Sequence, residues 1–167
     1  EAHGTGTALG DPIEAGAVAA VFLAHRDGSR AVLGIGSLKA NAGHTEPGAG
    51  VAGAMRLLMQ LRDGRLSHNA QLRSLNPHVS GALRSVACVL PTQLGALATT
   101  EARGGGVSSF GYSGTIAHGE LAFERACPSR EQQLPALRVF CQCPNKHVLA
   151  FPLRGAEAAG RGVSAMG

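Results

Sequence analysis

The stretch EAHGTGTALGDPIEA (residues 1–15) joins a loop rich in glycine and threonine to the start of a helix. Asp11 can cap a helix, Pro12 suits the first helical position, and Glu14 places a negative charge in the first turn. We therefore predict a helix over about residues 12–26, ended by the Asp-Gly pair that follows it. Apolar residues three or four positions apart predict its buried face: Ile13, Ala17, Val21 and Ala24.

A strand, a loop and a second helix are predicted next along the chain. Residues 31–35 form a short apolar run typical of a buried strand, and a loop extends over 36–47. A helix over about 48–63 ends at Gly64. Its predicted face is Val51, Met55, Leu58 and Leu61 or Arg62. The order helix, strand, loop, helix is typical of layered α/β proteins, in which active-site loops leave the strand ends.

The local signals are weaker beyond residue 66. They predict a turn at Asn76-Pro77, a strand over 85–90, a break at residues 104–106, a strand over 107–110 and another over 117–123. The segment 125–167 holds three of the four cysteines and four of the eight prolines without clear periodicity. We therefore assign residues 1–124 to one domain and interpret 125–167 as a tail or linker.

Length and composition limit the classes of protein that the chain can belong to. The 167 residues suffice for one core, and the absence of an initiator Met leads us to expect a piece of a longer protein. The net charge of +4 comes from dispersed basic residues, so no nucleic-acid footprint is predicted. No apolar run reaches the roughly 18 residues of a membrane span. Sparse cysteines favour a reducing compartment, which we take as cytoplasmic with a plastid as the alternative.

Two loops place a histidine beside glycine and threonine, namely His3 in HGTGT and His44 in KANAGHT. Two neutral imidazoles that donate N–H bonds to one oxygen would stabilise an enolate, the charge that forms when a carboxyl group is lost from a thioester. The ammonium of Lys39 would disfavour protonation of His44. The hydroxyls of Thr5 and Thr7 could bond the amides of an extended substrate.

A third loop, SFGYSGT at residues 109–115, precedes His118. Its glycines would let backbone N–H groups approach an oxyanion. This loop completes a set of three loops with the same composition, which indicates a pocket for a polar organic substrate, with Asn41 and Thr45 as further lining residues.

Competing sites are supported less well. Gly34-Ile35-Gly36 lacks the third glycine of a dinucleotide fingerprint. Cys141-Gln142-Cys143 with His147 lacks a complete zinc set at familiar spacing. A metal held by His3 and His44 has no carboxylate ligand at suitable spacing, so no metal site is predicted.

Three motifs in one order resemble the β-ketoacyl synthase family, and above all the ketosynthase domain of type I polyketide synthases. They are EAHGTGT with GDPIEA (1–15), GSLKANAGHTE (36–46) and SSFGYSGT (108–115), and the resemblance covers about residues 1–124. It implies a thiolase-like α/β fold made of two similar halves. This chain matches the C-terminal half only, a helix-sheet-helix portion of the layered sandwich.

The resemblance also implies a reaction in polyketide or fatty acid chain elongation. An acyl group lies on a cysteine of the N-terminal half, malonyl on phosphopantetheine loses CO2, and the enolate attacks the acyl thioester. His3 and His44 match the histidines that hold the extender carbonyl, and Lys39 matches the lysine that organises the second one. The other matches are Thr5 and Thr7 for pantetheine binding and Phe110 and Tyr112 for gating and the oxyanion hole.

The implied partners are acyl carrier protein, the N-terminal half and a second copy in a homodimer, with no cofactor bound directly. Three departures stand out. No cysteine here lies in an Asp-x-Ala-Cys-Ser-Ser setting, Ile116 replaces the usual Asn, and Pro47-Gly48 replace alanines. They leave two alternatives, which are a non-catalytic partner or dimerisation module without the nucleophile, and a partial gene product without independent stability.

Overall fold

The computed structural model describes residues 1–24, 32–97, 102–124, 137–142 and 148–152. Helices and short strands alternate in the first two of these ranges, and longer strands follow. The elements are α1 (Gly10–Ala24), β1 (Leu33–Gly34), α2 (Lys39–Ala42), a 3-10 helix (Glu46–Gly48), α3 (Ala49–Asp63), β2 (Arg65–Leu66), α4 (Pro77–Leu83), β3 (Cys88–Val89), β4 (Gly95–Ala96), β5 (Ala102–Phe110), β6 (Ile116–Glu124), β7 (Leu137–Gln142) and β8 (Val148–Pro152).

Helix α1 packs against α4 through small residues. Its buried positions Ala15 and Ala19 form a cluster with Val79, Leu83 and Val86. The predicted helix is confirmed, although its predicted end at residues 27–28 lies outside the described residues. The predicted face is wrong, since the side chains at positions 13, 17 and 21 are exposed. Spacing identified the stripe that contains Ile13 and Val21, whereas close packing against α4 buries the small residues Ala15 and Ala19.

Helix α3 ends where the sequence predicted. Gly64 adopts the left-handed conformation (φ 67°), and its N–H bonds the carbonyl of Gln60. The predicted face is wrong for Val51 and Met55, which are 68% and 58% exposed, and for Leu58. The buried face also has helical spacing and is partly polar: Ala49, Gly53, Arg56, Leu57, Gln60 and Leu61.

Strands β5 to β8 form an antiparallel sheet in sequence order. The predicted break at residues 104–106 is wrong, because these glycines lie inside β5, with Gly105 opposite Leu121 of β6. A Cβ atom at Gly105 would lie 2.9 Å from Cδ1 of Leu57. Because glycine has no side chain, α3 can approach the sheet at this point. Leu57, Leu61 and Leu121 form a second buried cluster there.

The remaining elements refine the predictions. The predicted strands over 31–35 and 85–90 appear as the short parallel pair β1 and β3, while residue 31 lies outside the described residues. The predicted loop over 36–47 contains α2 and the start of the 3-10 helix. Asn76 does not form a separate turn but caps α4, accepting a hydrogen bond from the His78 N–H at 2.9 Å.

None of the described helices is both long and apolar enough to cross a membrane. In the segment interpreted as a tail or linker, β7 pairs with β6, and β8 pairs with β7.

Candidate active site

The two predicted histidines lie side by side. The ring centroids of His3 and His44 are 5.7 Å apart with perpendicular planes. The ring of Phe110, at the end of β5, lies 5.0 Å from that of His3. The fold therefore brings one residue from each of the three predicted loops to a single place.

Backbone hydrogen bonds orient both imidazoles in the same way. The N–H of Phe110 donates to Nδ1 of His3 at 3.3 Å, and the N–H of Glu46 donates to Nδ1 of His44 at 3.2 Å. A neutral imidazole that accepts at Nδ1 carries its proton on Nε2. Each ring therefore has an Nε2–H donor available for an external acceptor.

The surroundings of His3 favour its neutral form. Burial lowers the pKa of His3, and the charges of Lys39 and His44 lower it further, against a smaller opposing effect of Asp11. Burial likewise lowers the pKa of Lys39, while the carboxylates of Glu1 and Glu14 oppose this. The charge of Lys39 thus acts on His3, and the effect of Lys39 predicted for His44 stays a prediction.

A buried carboxylate in the first turn of α1 holds the His3 loop. Glu14 accepts the N–H of His3 at 2.7 Å and that of Gly4 at 2.9 Å, and the residue is only 7% exposed. Asp11 accepts the N–H of Gly6 at 3.2 Å. Sequence reasoning used Glu14 only as a helix-start signal. Glu14 lies three residues after Asp11, so both carboxylates are on the loop side of the helix. This spacing is the sequence signal that could have predicted the contact of Glu14 with the loop.

Ser37 connects the His3 loop to the segment that carries Lys39. Its side chain donates to the carbonyl of His3 or Gly4, each at 3.4 Å, and accepts the N–H of Lys39 at 3.3 Å. A Cβ atom at Gly4, whose φ is +45°, would lie 2.8 Å from Cβ of Ser37. Buried Asn69 in turn accepts the N–H of Ser37 at 3.0 Å. None of these links was visible in the sequence pattern.

Glu1 and Arg56 form a buried ion pair beside this network. The Glu1 carboxylate also accepts the N–H of Leu38 at 2.6 Å, and Arg56 donates to the carbonyls of Ser67 and His68 at 3.3 Å. The pair therefore ties α3 to the start of α2, because both charges are satisfied by hydrogen bonds in a buried position.

Other predicted residues have different surroundings. The Asn41 side chain bonds the backbone of residues 68 and 70. Thr7 accepts the N–H of Gly10 at 3.1 Å, and the Thr5 hydroxyl lies 3.5 Å from that of Thr7. Tyr112 extends fully exposed from the turn after β5. The roles predicted for these threonines and for Tyr112 stay predictions.

Alternative chemistries find little support in the described part of the chain. Cys88 lies in β3, and burial raises the pKa of its thiol, the opposite of what an activated nucleophile needs. Among the described side chains, no three His, Cys, Asp or Glu groups are arranged to hold a metal. Cys143 and His147 of the zinc alternative lie outside the described residues.

Comparison with known proteins identifies the family to which the chain belongs. Residues 1–73 match the β-ketoacyl synthase C-terminal domain. Erythronolide synthase EryA2 of Saccharopolyspora erythraea is 45% identical over 121 residues, which are 71% of this chain and 3% of that protein. The highly reducing polyketide synthase cm3B of Cordyceps militaris is 47% identical over 118 residues, or 71% of this chain and 4% of that protein.

Solved ketosynthases have the same fold. The oxazolomycin ketosynthase domain OzmH KS7 of Streptomyces albus JA3453 matches with a TM-score of 0.64 and 34% identity, over 78% of this chain and 22% of that one. The ketosynthase from module 6 of the bacillaene synthase of Bacillus subtilis 168 matches with a TM-score of 0.62 and 36% identity, over 77% and 22%.

The chain belongs to the β-ketoacyl synthase family, and the part that it shares with its relatives is the C-terminal part of a polyketide synthase ketosynthase. The expected α/β, thiolase-like fold is confirmed. The chain spans only a small fraction of these proteins, since it covers 22% of each solved ketosynthase and 3 to 4% of the two curated relatives.

Proposed function

We propose that the protein containing this chain elongates a polyketide or fatty acyl chain by decarboxylative Claisen condensation. A malonyl-type thioester loses CO2, and the electrons of the broken C–C bond form an enolate. The enolate carbon attacks the carbonyl of an acyl thioester, a new C–C bond forms, and the thiolate leaves. The nucleophilic cysteine that carries the acyl group belongs, in this proposal, to the N-terminal half of the ketosynthase.

The observation that carries the proposal is the pair of Nε2–H donors. His3 and His44 have ring centroids 5.7 Å apart, and each accepts a backbone N–H at Nδ1. Two fixed donors of this kind can bind one thioester oxygen and stabilise the negative charge that develops on it. Lys39 supports this function because its charge helps to keep His3 neutral.

The substrate and partners follow from the same chemistry. The malonyl group would arrive on the phosphopantetheine arm of an acyl carrier protein, and the hydroxyls of Thr5 and Thr7 would bond its amides. Similarity to large polyketide synthases supports a carrier-protein partner. We further propose a cytoplasmic homodimer with no cofactor bound directly to this chain.

The test uses the complete ketosynthase that carries this chain. His3→Ala and His44→Ala should each lower the rate of malonyl decarboxylation by about 10²- to 10³-fold, which is typical for the loss of one oxyanion donor. CO2 release from malonyl carrier protein is the measurement. His78→Ala, which changes an exposed histidine on α4, serves as the matched control. Unchanged CO2 release in both site variants would overturn the proposal.

A further inference from the structure

A strained turn follows His44 directly. Glu46 has a φ of +46° and is the one non-glycine residue in the left-handed region among the described residues. Side chains other than glycine rarely adopt this conformation, because Cβ comes too close to the neighbouring carbonyl. Such strain persists only where the surrounding structure over-determines it, and it is found most often at functional sites.

The side chain of Glu46 does not account for this strain. It is exposed and makes no hydrogen bond or ion pair within the described part of the chain. Its backbone N–H and its backbone carbonyl, by contrast, both form hydrogen bonds. The N–H donates to Nδ1 of His44 at 3.2 Å, and the carbonyl accepts the N–H of Ala49, where α3 begins.

The following residue keeps the turn separate from α3. Proline disfavours the right-handed helical conformation for the residue before it, so Pro47 prevents α3 from extending back through Glu46. The backbone carbonyl of Thr45 accepts the N–H of Gly48 at 3.4 Å, and this hydrogen bond closes the turn. The Glu46 N–H is thereby left free of the helix and directed at the imidazole.

We propose that Glu46 is a positioning residue for His44, and that its left-handed backbone holds the ring in the form with the proton on Nε2. The inference rests on the proposed function for its catalytic consequence. Its structural part, the tautomer of His44, is independent of that function. Glu46 acts through its backbone alone and touches no reacting atom.

The experiment compares substitutions of Glu46 in the complete ketosynthase. Glu46→Gly accepts a positive φ without penalty and keeps the N–H, so the His44 tautomer and the turnover number should stay unchanged. In Glu46→Val the new residue is strongly disfavoured at this φ, because the valine side chain is β-branched. We expect it to raise the Nδ1–H population of His44 and to lower kcat for malonyl decarboxylation by roughly tenfold, less than the loss of the whole donor, with KM little changed.

The matched control separates an effect of the Glu46 backbone on activity from an effect of its side-chain charge. Glu46→Gln removes the charge and keeps the backbone preference, so it should behave like the unmodified protein. The tautomer is measured by ¹⁵N and ¹³C NMR of histidine-labelled protein, with the His44 signal assigned by its loss in His44→Gln. Should the valine variant not fold, Glu46→Thr, also β-branched, carries the same comparison.

Two outcomes would overturn the inference. One is an unchanged His44 tautomer in the valine or threonine variant. The other is a loss of activity in Glu46→Gln as large as in Glu46→Val, which would assign the effect to the side chain. Failure of the proposed function would look different, since the unmodified ketosynthase would then release no CO2 whatever the tautomer.

Discussion

At the scale of single residues, charge and burial act together on His3. Burial is the main reason for its lowered pKa, and the ammonium of Lys39 adds to the effect. In the proposed decarboxylation His3 acts as a neutral ring that donates from Nε2, because a protonated ring could not accept the Phe110 N–H at Nδ1. A lowered pKa therefore extends the active range toward acid.

Lys39→Met should shift the acidic limb of the pH–rate profile for malonyl decarboxylation to higher pH. Removing the positive charge raises the pKa of His3 toward its ordinary value of 6.5, so more of the ring is protonated just below that pH. The shift should be partial, because burial remains. Arg73→Met removes an exposed cation that is not among the groups acting on His3 and should leave the profile in place. A profile that moves equally in both variants would refute the role of Lys39.

Glu14→Gln should destabilise the ketosynthase. The buried carboxylate accepts two backbone N–H bonds, and an amide offers a single oxygen in its place. Weakening hydrogen bonds to a buried charged group costs about 1.5–3 kcal/mol. The free energy of unfolding from denaturant titration is the measurement. Glu46→Gln, at an exposed carboxylate, should change this free energy little, and equal losses in both variants would contradict the argument.

The sequence predicted the candidate site residues that the structure brings together, but not the residues that hold them in place. His3 and His44 stood out because each lies beside glycine and threonine, and Lys39 because it lies five residues before His44. The supporting residues Ser37 and Asn69 act through bonds to distant backbone atoms, which no local pattern encodes. Their importance depends on the tertiary structure alone.

At the scale of elements, the end of α3 was predictable, whereas the buried faces of α1 and α3 were not. The end of α3 at Gly64 depends on a local conformational preference, so the sequence is sufficient. The face depends on what lies opposite, and α3 has two sets of residues at helical spacing. The buried set contains Arg56 and Gln60, whose hydrogen bonds compensate for their burial.

The glycines of β5 give a prediction about packing. Gly105→Ala should destabilise the protein by roughly 1–3 kcal/mol, because its Cβ would strike the buried Leu57 and force α3 away from the sheet. Gly104→Ala is the matched control, since the nearest atom to its Cβ is the Leu121 carbonyl oxygen at 3.9 Å. Melting temperatures of the two variants check this, and equal values would show that close approach is not the reason for glycine at 105.

At the scale of the whole molecule, α3 leaves an apolar surface uncovered. The α3 stripe consists of Val51, Met55, Leu58 and Met59, all exposed and spaced as one face of a helix. Exposed apolar patches of this kind mark interfaces or cause association. The stripe also explains the incorrect face prediction, because large apolar residues occur on the side of α3 that the described residues leave exposed.

The chain expressed alone, as its 167 residues, should therefore bind a hydrophobic dye and self-associate. Val51→Lys with Met55→Lys should reduce both dye fluorescence and association, because two charges interrupt the stripe without touching the clusters packed against α1 or the sheet. Gln71→Lys with Ser74→Lys adds the same charge at exposed positions elsewhere and should leave dye binding unchanged. Sedimentation velocity measures the association.

In the complete ketosynthase the same Val51→Lys and Met55→Lys pair should have the opposite effect and lower the melting temperature. The reason is that the solved ketosynthases contain several times more chain than this one matches, so further structure is available to cover the stripe. The lysine charges, which reduce association of the isolated chain, would then be buried without a partner, and this is unfavourable. A monodisperse isolated chain that binds no dye, together with an unchanged melting temperature of the complete variant, would show that the stripe is an ordinary solvent-facing surface.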